Sequence, residues 1–417
     1  MVRDCDVVIL DACRTAVGRM GGTIKNVKAA TLATTVLKGT IERTGIDVHE
    51  IDEVIMGQCR QSSDESNLAR VAALRAGIPV EVPAHTTMRQ CASGMTALHN
   101  AYMTIKCGYN NLVLAGGVES MSSGVFYITE ARYGVGTGNV ELKDSVTEAQ
   151  FTSQPNEIFG HFNMGATAEN IAETFGITRE EQDAFSLKSQ QKAIAAIDSG
   201  RFKDEIVPVI VPQKKKDPII FDTDEFPRRD TSAEKLAKLG PAFNIVKDEQ
   251  GRMFNTSEPT GSVTAGSSSG RNDGASILMI ASAEKAAELG IKPMAKIIGF
   301  GTAGVDPRLM GTGPIYAAPK ALEDAGLTWD DIGLIELNEA FAAQALECIK
   351  ELGIENKMDV INVNGGAVAL GHPIGSSGSR IVVTLAHEMK KRGVKYGLAT
   401  LCVGGGMGQA CVLELCD

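Results

Sequence analysis

Short apolar runs alternate along the chain with segments of helical periodicity. Runs rich in β-branched residues lie at 7–10, 54–56 and 112–115, and between them the apolar residues of 30–43 and 95–105 recur every three or four positions. Parallel strands joined by crossover helices have this pattern. We therefore predict an α/β unit in the first part of the chain.

The last third of the chain has the same order of elements. An offset of 281 residues carries Gly45 onto Gly326, and it also carries Cys91 onto His372. Ordered matches at one spacing indicate a duplicated unit, with the ordinary alternation of any α/β protein as the alternative. Equivalent loops of two related halves can meet at the interface between them.

The stretch at 125–262 differs from both halves, because it is rich in polar residues and prolines and carries a basic run at 214–216. It is too long for a structureless loop in a compact domain. We predict an N-terminal half made of 1–124 with 263–290, an inserted domain at 125–262, and a C-terminal half at 291–417.

Composition narrows the class of protein. Hydrophobic residues make up 43% of the chain and the formal net charge is −10, which argues against a disordered chain and against a nucleic-acid binder. No apolar stretch approaches the ~18 residues of a membrane span, and the first residues lack a signal-peptide core. The nine cysteines have no CxxC spacing. We therefore expect a soluble cytoplasmic protein without a metal site or membrane association.

Cys91 and His372 form the first candidate pair. Cys91 precedes a predicted helix, whose N-terminal N–H groups and dipole favour a thiolate. His372 also precedes a helix, and a neutral imidazole there could accept the thiol proton to give a nucleophile for acyl transfer. An inert buried cysteine and a structural histidine are the alternatives. The correspondence of the two positions in the repeat favours the active pair.

Two further candidate residues follow predicted strands. Cys402 precedes four glycines within five residues, whose backbone N–H groups can approach a ligand closely; a tight hairpin is the alternative. Asn338 follows the apolar run at 334–337, where it could orient a water or a carbonyl, or cap the next helix. We include both in the candidate active site.

Four motifs in order resemble those of the thiolase family, which comprises acetyl-CoA acetyltransferases and 3-ketoacyl-CoA thiolases. They lie at 90–94, 338–342, 364–373 and 401–406. The resemblance implies an α/β fold of two duplicated βαβαβαββ halves, forming a five-layer α/β/α/β/α sandwich with an inserted loop domain. It also implies reversible Claisen condensation of two acetyl-CoA molecules to acetoacetyl-CoA and CoA, or thiolysis of 3-ketoacyl-CoA. Acyl-CoA and CoA would be the partners of a homodimer or homotetramer without a cofactor.

The resemblance also implies a ping-pong mechanism. Cys91, activated by His372, would take the acyl group, and Cys402 would move the α-proton of the second acyl-CoA. One oxyanion hole would be formed by His372 and a water held by Asn338. The other would use the backbone N–H groups of Cys91 and Gly404.

The substrate contacts follow from the same resemblance. Arg228 matches a position that binds the nucleotide of CoA, with a solvated surface arginine as the alternative. The positions expected along the pantetheine chain are Ala242, Phe243 and Ser269. Met164 and Phe341 would line the acyl pocket, with plain core packing as the alternative.

Two departures from the family pattern bear on the substrate. Asn163 stands directly before Met164, where short-chain members usually have a histidine; asparagine can hydrogen-bond a pantetheine carbonyl but cannot carry charge. The polar run at 244–262 is longer than the corresponding connection in short biosynthetic members. We favour acetyl-CoA and acetoacetyl-CoA as substrates, with longer 3-ketoacyl-CoA of β-oxidation as the alternative.

Two other classes of protein compete with this interpretation. A ketoacyl synthase of the same broad fold pairs its cysteine with two histidines, or with histidine and asparagine, and decarboxylates a malonyl donor. A non-catalytic acyl-CoA or lipid-binding protein would lack part of the site. The thiolase interpretation is favoured by the joint presence of Cys91, His372, Cys402 and Asn338.

Overall fold

The computed structural model describes residues 5–256, 258 and 260–416. Its strands are β1 (Val7–Arg14), β2 (Gly18–Arg19), β3 (Glu53–Gly57), β4 (Ala84–Thr87), β5 (Leu112–Ser120), β6 (Phe126–Tyr127), β7 (Lys143–Asp144), β8 (Val209–Gln213), β9 (Lys216–Phe221), β10 (Ile245–Lys247), β11 (Met253–Asn255), β12 (Asn272–Ser282), β13 (Ala295–Gly304), β14 (Leu334–Leu337), β15 (Tyr396–Val403) and β16 (Met407–Leu415). Its helices are α1 (Ala29–Thr44), α2 (Leu68–Arg75), α3 (Ser93–Lys106), α4 (Ser145–Phe151), α5 (Asn156–Phe159), α6 (Met164–Phe175), α7 (Arg179–Asp198), α8 (Ala233–Ala237), α9 (Ala283–Leu289), α10 (Gly313–Ala325), α11 (Ala342–Glu351), α12 (Ala367–Leu370) and α13 (Ile374–Arg392).

The two halves have the same strand arrangement. In the N-terminal half, β1 is antiparallel to β12, β12 is antiparallel to β5, and β5 is parallel to β3. In the C-terminal half, β13, β16, β15 and β14 repeat this order and these directions. The first strand of each half also carries a register shift, which lies between Ile9 and Asp11 in β1 and between Ile297 and Gly299 in β13. The prediction of a duplicated α/β fold is confirmed.

The layers follow from which faces of the strands are apolar. Alternate residues of β1 face opposite sides of the sheet, so that Val8 packs with α1 and α2 on the outer side while Ile9 packs with α3 and α13 on the inner side. Helices α10 and α11 cover the outer face of the strands of the C-terminal half. The two central helices therefore lie between the two halves of one large sheet, which β1 and β13 join, and each half carries outer helices; this is the predicted five-layer sandwich.

The two central helices approach each other closely at their first turns. A Cβ on Gly94 would lie 2.5 Å from Ser379 Oγ, and a Cβ on Gly378 would lie 2.6 Å from the backbone nitrogen of Met95, so only glycine fits. Cys91 and His372 each come just before one of these helices. The packing of α3 on α13 therefore brings both residues to one junction between the halves.

The long segment between β5 and β12 carries α4 to α8 and three two-stranded sheets. A buried arginine of β1 ties it to the N-terminal half: Arg14 Nε lies 2.6 Å from Glu205, and its terminal nitrogens lie 2.8 and 2.9 Å from the carboxylate oxygens of Asp224. A buried guanidinium that is hydrogen-bonded to two carboxylates of a segment fixes the orientation of that segment. The domain boundaries at 125 and 262 stay predictions.

Three further observations concern the residues that the structure describes. None of their helices combines the length and apolar character needed to cross a bilayer. They hold no group of three or more histidine, cysteine, aspartate or glutamate side chains arranged to bind a metal ion. All nine cysteines lie in this part of the chain, and none of them forms a disulfide bond there.

Candidate active site

Cys91 lies on the turn that leads into α3. Gln90, immediately before it, has a φ of 44°, a left-handed conformation that is uncommon for a residue with a Cβ and that often marks a functional turn. Burial raises the pKa of the Cys91 thiol, while the backbone N–H of Gly404, then the positive charge of Arg60 and then the backbone N–H of Cys91 itself lower it. The two donors predicted for the second oxyanion hole therefore both lie beside this sulfur.

Cys402 lies near the end of β15, next to the hairpin that joins β15 to β16. Gly405 and Gly406 form this turn with φ values of 87° and 82°, so the tight hairpin that was the alternative for the glycine run is present. Burial raises the pKa of the Cys402 thiol well above its usual range, and negative charge on Cys91 raises it further. The two thiols are thus within electrostatic reach of each other.

His372 is buried and held at its backbone and at one ring nitrogen. The backbone N–H of His372 donates to Asn272 Oδ1 at 2.9 Å, and the ring nitrogen Nδ1 lies 2.6 Å from Ser377 Oγ. Its Nε2 has no hydrogen-bond partner among the residues described. Burial, and secondly the positive charge of Arg380, lowers the pKa of His372 to about 3. The imidazole is therefore neutral near pH 7, and Nε2 is available for a reacting group.

Asn338 follows β14 and is almost completely buried. Its backbone N–H donates to Thr400 O at 3.0 Å, but neither atom of its side-chain amide is hydrogen-bonded within the described part of the chain. The next helix, α11, begins at Ala342 with Phe341 at its N-cap, so the alternative interpretation of Asn338 as a helix cap is wrong. Buried amides are normally paired, and this one is suited to hold a water or a substrate oxygen.

Three apolar side chains form a wall beside Cys402. Phe341, Phe243 and Met164 pack in one cluster with it. The rings of Phe243 and Phe341 meet edge to face with their centroids 6.2 Å apart, and Met164 lies next to Gly404. Such a wall suits a short acyl chain next to the reactive sulfur.

The predicted nucleotide contact lies in a separate cavity of about 210 Å³. Arg228 lines this cavity together with Lys235, Leu236 and Gly266. Gly266 precedes the segment that reaches the site, where Ser269 donates its N–H to Ala340 O at 2.9 Å. Of the residues expected along the pantetheine, Ser269 thus contacts the segment that leads to Phe341, and Phe243 is itself part of the wall beside Cys402.

Asn163 and the long polar segment at 244–262 form one structural unit. The side-chain oxygen of Asn163 caps α6, accepting a backbone N–H of the first turn at 3.0 Å. Its own N–H donates to Asn255 Oδ1 at 2.8 Å, in the β10–β11 hairpin of that segment. Ser257 and Pro259 of the segment lie outside the described residues. The β10–β11 hairpin is thus hydrogen-bonded to Asn163 at the start of α6, the helix that begins with Met164.

One residue at the junction was missed by the sequence analysis. Glu119, in β5, is buried and accepts the backbone N–H groups of Cys59, Arg60 and Gly375, each at 3.1 Å. It joins a loop of the N-terminal half to the first turn of α13. A carboxylate directly after the apolar run at 112–118 was the available signal, because a buried charge needs partners.

Comparisons with known proteins agree with this geometry. Family models described as "Thiolase, N-terminal domain" and "Thiolase, C-terminal domain" match residues 7–284 and 291–415. The chain is 51% identical to an acetyl-CoA acetyltransferase of Syntrophomonas wolfei and 49% identical to one of Pseudomonas aeruginosa, over 98% of this chain and 99% of each relative. The crystal structure of the Bacillus anthracis acetyl-CoA acetyltransferase is similar at 46% identity with a TM-score of 0.91. That of human mitochondrial 3-ketoacyl-CoA thiolase is similar at 38% identity with a TM-score of 0.90; each similarity covers 99% of both chains.

Proposed function

The chain belongs to the thiolase family, and we propose that Cys91, His372 and Cys402 carry out its acyl transfer. The protein is an acyltransferase of the kind that condenses acetyl-CoA and cleaves 3-ketoacyl-CoA with CoA. One observation supports the assignment of residues: the backbone N–H of Gly404 hydrogen-bonds the sulfur of Cys91, and Cys402 lies within electrostatic reach of the same sulfur. This arrangement supports the proposal of a nucleophile at Cys91, an oxyanion donor at Gly404 and a second base at Cys402.

In the first half-reaction Cys91 attacks the thioester carbonyl of an acyl-CoA. Its thiol proton passes to Nε2 of His372 and then to the sulfur of the departing CoA, so that acyl-Cys91 and CoA are the products. A buried thiol with a raised pKa needs such an acceptor, and the neutral imidazole supplies it. The developing oxyanion would be stabilised by backbone N–H groups, with the unpaired amide of Asn338 free to hold a water as a further donor.

In the second half-reaction the thiolate of Cys402 removes an α-proton from acetyl-CoA. The resulting enolate attacks the acyl carbon of acyl-Cys91, which releases acetoacetyl-CoA and a Cys91 thiolate. The proton held by Cys402 then returns to Cys91, so atoms and charge balance over the cycle.

The nucleophile and the bases in this scheme belong to the chain, and the hydrogen-bond donors are backbone N–H groups and a water held by Asn338. We therefore assign no step to a metal or prosthetic group, and CoA enters only as substrate and product. We also propose a cytoplasmic homodimer or homotetramer, as the family resemblance implies. The strand at one end of the large sheet, β4, pairs on one side only among the described strands and leads to the exposed side chain of Met88, which supports association.

Incubation with labelled acetyl-CoA alone tests the proposed reaction. We expect acetoacetyl-CoA and CoA to form, and the label to appear on the peptide that contains Cys91. Iodoacetamide should label the same thiol rapidly, and acetyl-CoA should block that labelling. A requirement for a malonyl thioester would instead identify a decarboxylating synthase, and absence of both labels would identify a non-catalytic binding protein.

A chain-length series tests the preference for short acyl groups. We propose acetoacetyl-CoA as the preferred substrate for thiolysis, because Phe341, Phe243 and Met164 close the space beside Cys402. The kcat/KM for 3-ketoacyl-CoA should fall by at least about tenfold once the acyl chain of the substrate is longer than the space that these side chains leave. A longer acyl chain would displace the reacting thioester, which is costly. Activity that rises beyond about six acyl carbons would favour the longer-chain alternative.

A further inference from the structure

The ring of His372 contacts one side chain whose role the proposed function leaves open. Ser377 lies in the first turns of α13 and is fully buried; its Oγ is 2.6 Å from Nδ1 of His372. The same Oγ donates to Pro373 O at 3.0 Å. That carbonyl is held in place by the N–H groups of Ser376 and Ser377, each at 2.9 Å. The three groups form a short chain from imidazole to hydroxyl to carbonyl.

The number of protons available to the imidazole, the hydroxyl and the carbonyl limits the directions that their hydrogen bonds can take. A hydroxyl has a single proton, and a carbonyl can only accept. When the imidazole is protonated on both nitrogens, Nδ1–H must donate to Oγ, and the hydroxyl proton is then directed to Pro373 O. When the ring is neutral and Nε2 acts as the base, Nδ1 carries the proton, and the arrangement is the same. No donor has to reorient while a proton moves from Cys91 to Nε2.

We propose that Ser377 is a positioning residue that makes Nε2 the basic nitrogen of His372. This inference rests on the roles proposed above for Cys91 and His372. The opposite arrangement, in which the hydroxyl donates to Nδ1, would leave the proton on Nε2 and prevent it from accepting one from Cys91. The charged side chain that acts on the ring is Arg380, whose positive charge disfavours the imidazolium. The hydroxyl and carbonyl oppose this by stabilising the imidazolium on its other side.

The test compares Ser377→Ala with Ser376→Ala. Ser376 is an adjacent buried serine of α13 whose Oγ lies 2.9 Å from Ser276 Oγ and has no described contact with the imidazole. Ser377→Ala should lower kcat for thiolysis by about tenfold to a hundredfold, part of the ~10²–10⁴ that general acid–base catalysis supplies, and leave KM for CoA within about twofold. It should also slow alkylation of Cys91 by iodoacetamide across the neutral pH range. Ser376→Ala should change none of these.

A second measurement uses the unaltered enzyme. In ¹⁵N–¹H correlation spectra of protein labelled with [¹⁵N]histidine, the signal that disappears in His372→Gln should show a proton on Nδ1 and none on Nε2. A proton on Nε2 in the free enzyme overturns the inference, as does equal behaviour of the two serine variants. If the wild-type enzyme itself forms no acyl-Cys91, the proposed function fails instead. If Ser377→Ala does not fold, the spectra of the wild type decide the question.

Discussion

Replacement of Cys91 by serine is expected to abolish both condensation and thiolysis in a protein that still folds. A hydroxyl at this position would be a weaker nucleophile than the thiol and a far poorer leaving group in the second half-reaction. An alcohol is also a much weaker acid than a thiol, so the neutral imidazole of His372 activates it less well. The rate should fall by more than about a thousandfold, the scale typical of losing a covalent nucleophile. Initial rates of acetoacetyl-CoA thiolysis measure this change.

Cys59→Ser provides the matched control. The Cys59 thiol donates to Gln90 O at 2.9 Å, directly beside the nucleophile, and a serine hydroxyl can make the same bond. This variant should keep activity within about threefold of wild type and should still be acylated at Cys91. A Cys91→Ser enzyme with rates within about tenfold of wild type would contradict the assignment of the nucleophile.

Replacement of Cys402 by alanine is expected to separate the two half-reactions. Alanine cannot bind a proton, so exchange of the acetyl-CoA α-protons with deuterium from the solvent should fall by about 10²–10⁴-fold, the range supplied by a positioned base. Acylation of Cys91 should continue, because the nucleophile, His372 and Gly404 remain. Trapping of the labelled acyl-enzyme and mass spectrometry of the exchanged acetyl-CoA measure the two steps separately.

Cys411→Ala controls for the loss of a buried sulfur. Cys411 lies in β16, is fully buried and pairs with Ala399 of the strand that carries Cys402. Its replacement opens a similar small cavity in the sheet without removing a group from the site. This variant should exchange α-protons at nearly the wild-type rate. Persistent exchange in Cys402→Ala would mean that another group is the base.

Much of the fold was predictable because its signals are local. The spacing of apolar residues predicted the alternation of strands and helices, and the offset of 281 residues predicted the duplication. Gly45 and Gly326 show why the offset worked: they end α1 and α10 with the same left-handed conformation, each with φ of 66°. Helix ends and strand patterns depend on a few neighbouring residues, so they can be recognised without knowledge of the tertiary structure.

The site was predictable only in part, because several of its residues act through distant partners. Asn338 could equally have been a helix cap, and only the start of α11 at Ala342 excluded that interpretation. Glu119 reaches Gly375 from 256 positions away in the chain. No sequence pattern indicated the left-handed φ of Gln90.

The sequence by itself determined the duplicated α/β fold, the four motifs and the candidate reactive side chains, since these depend on residue type and short-range spacing. The tertiary structure alone decided where those side chains lie and what surrounds them. The packing of α3 on α13, which requires glycine at 94 and 378, brings Cys91 and His372 to one junction. Burial there raises the pKa of Cys91 and lowers that of His372. Such effects depend on the atoms that exclude water from each group, and those atoms come from parts of the chain hundreds of residues apart.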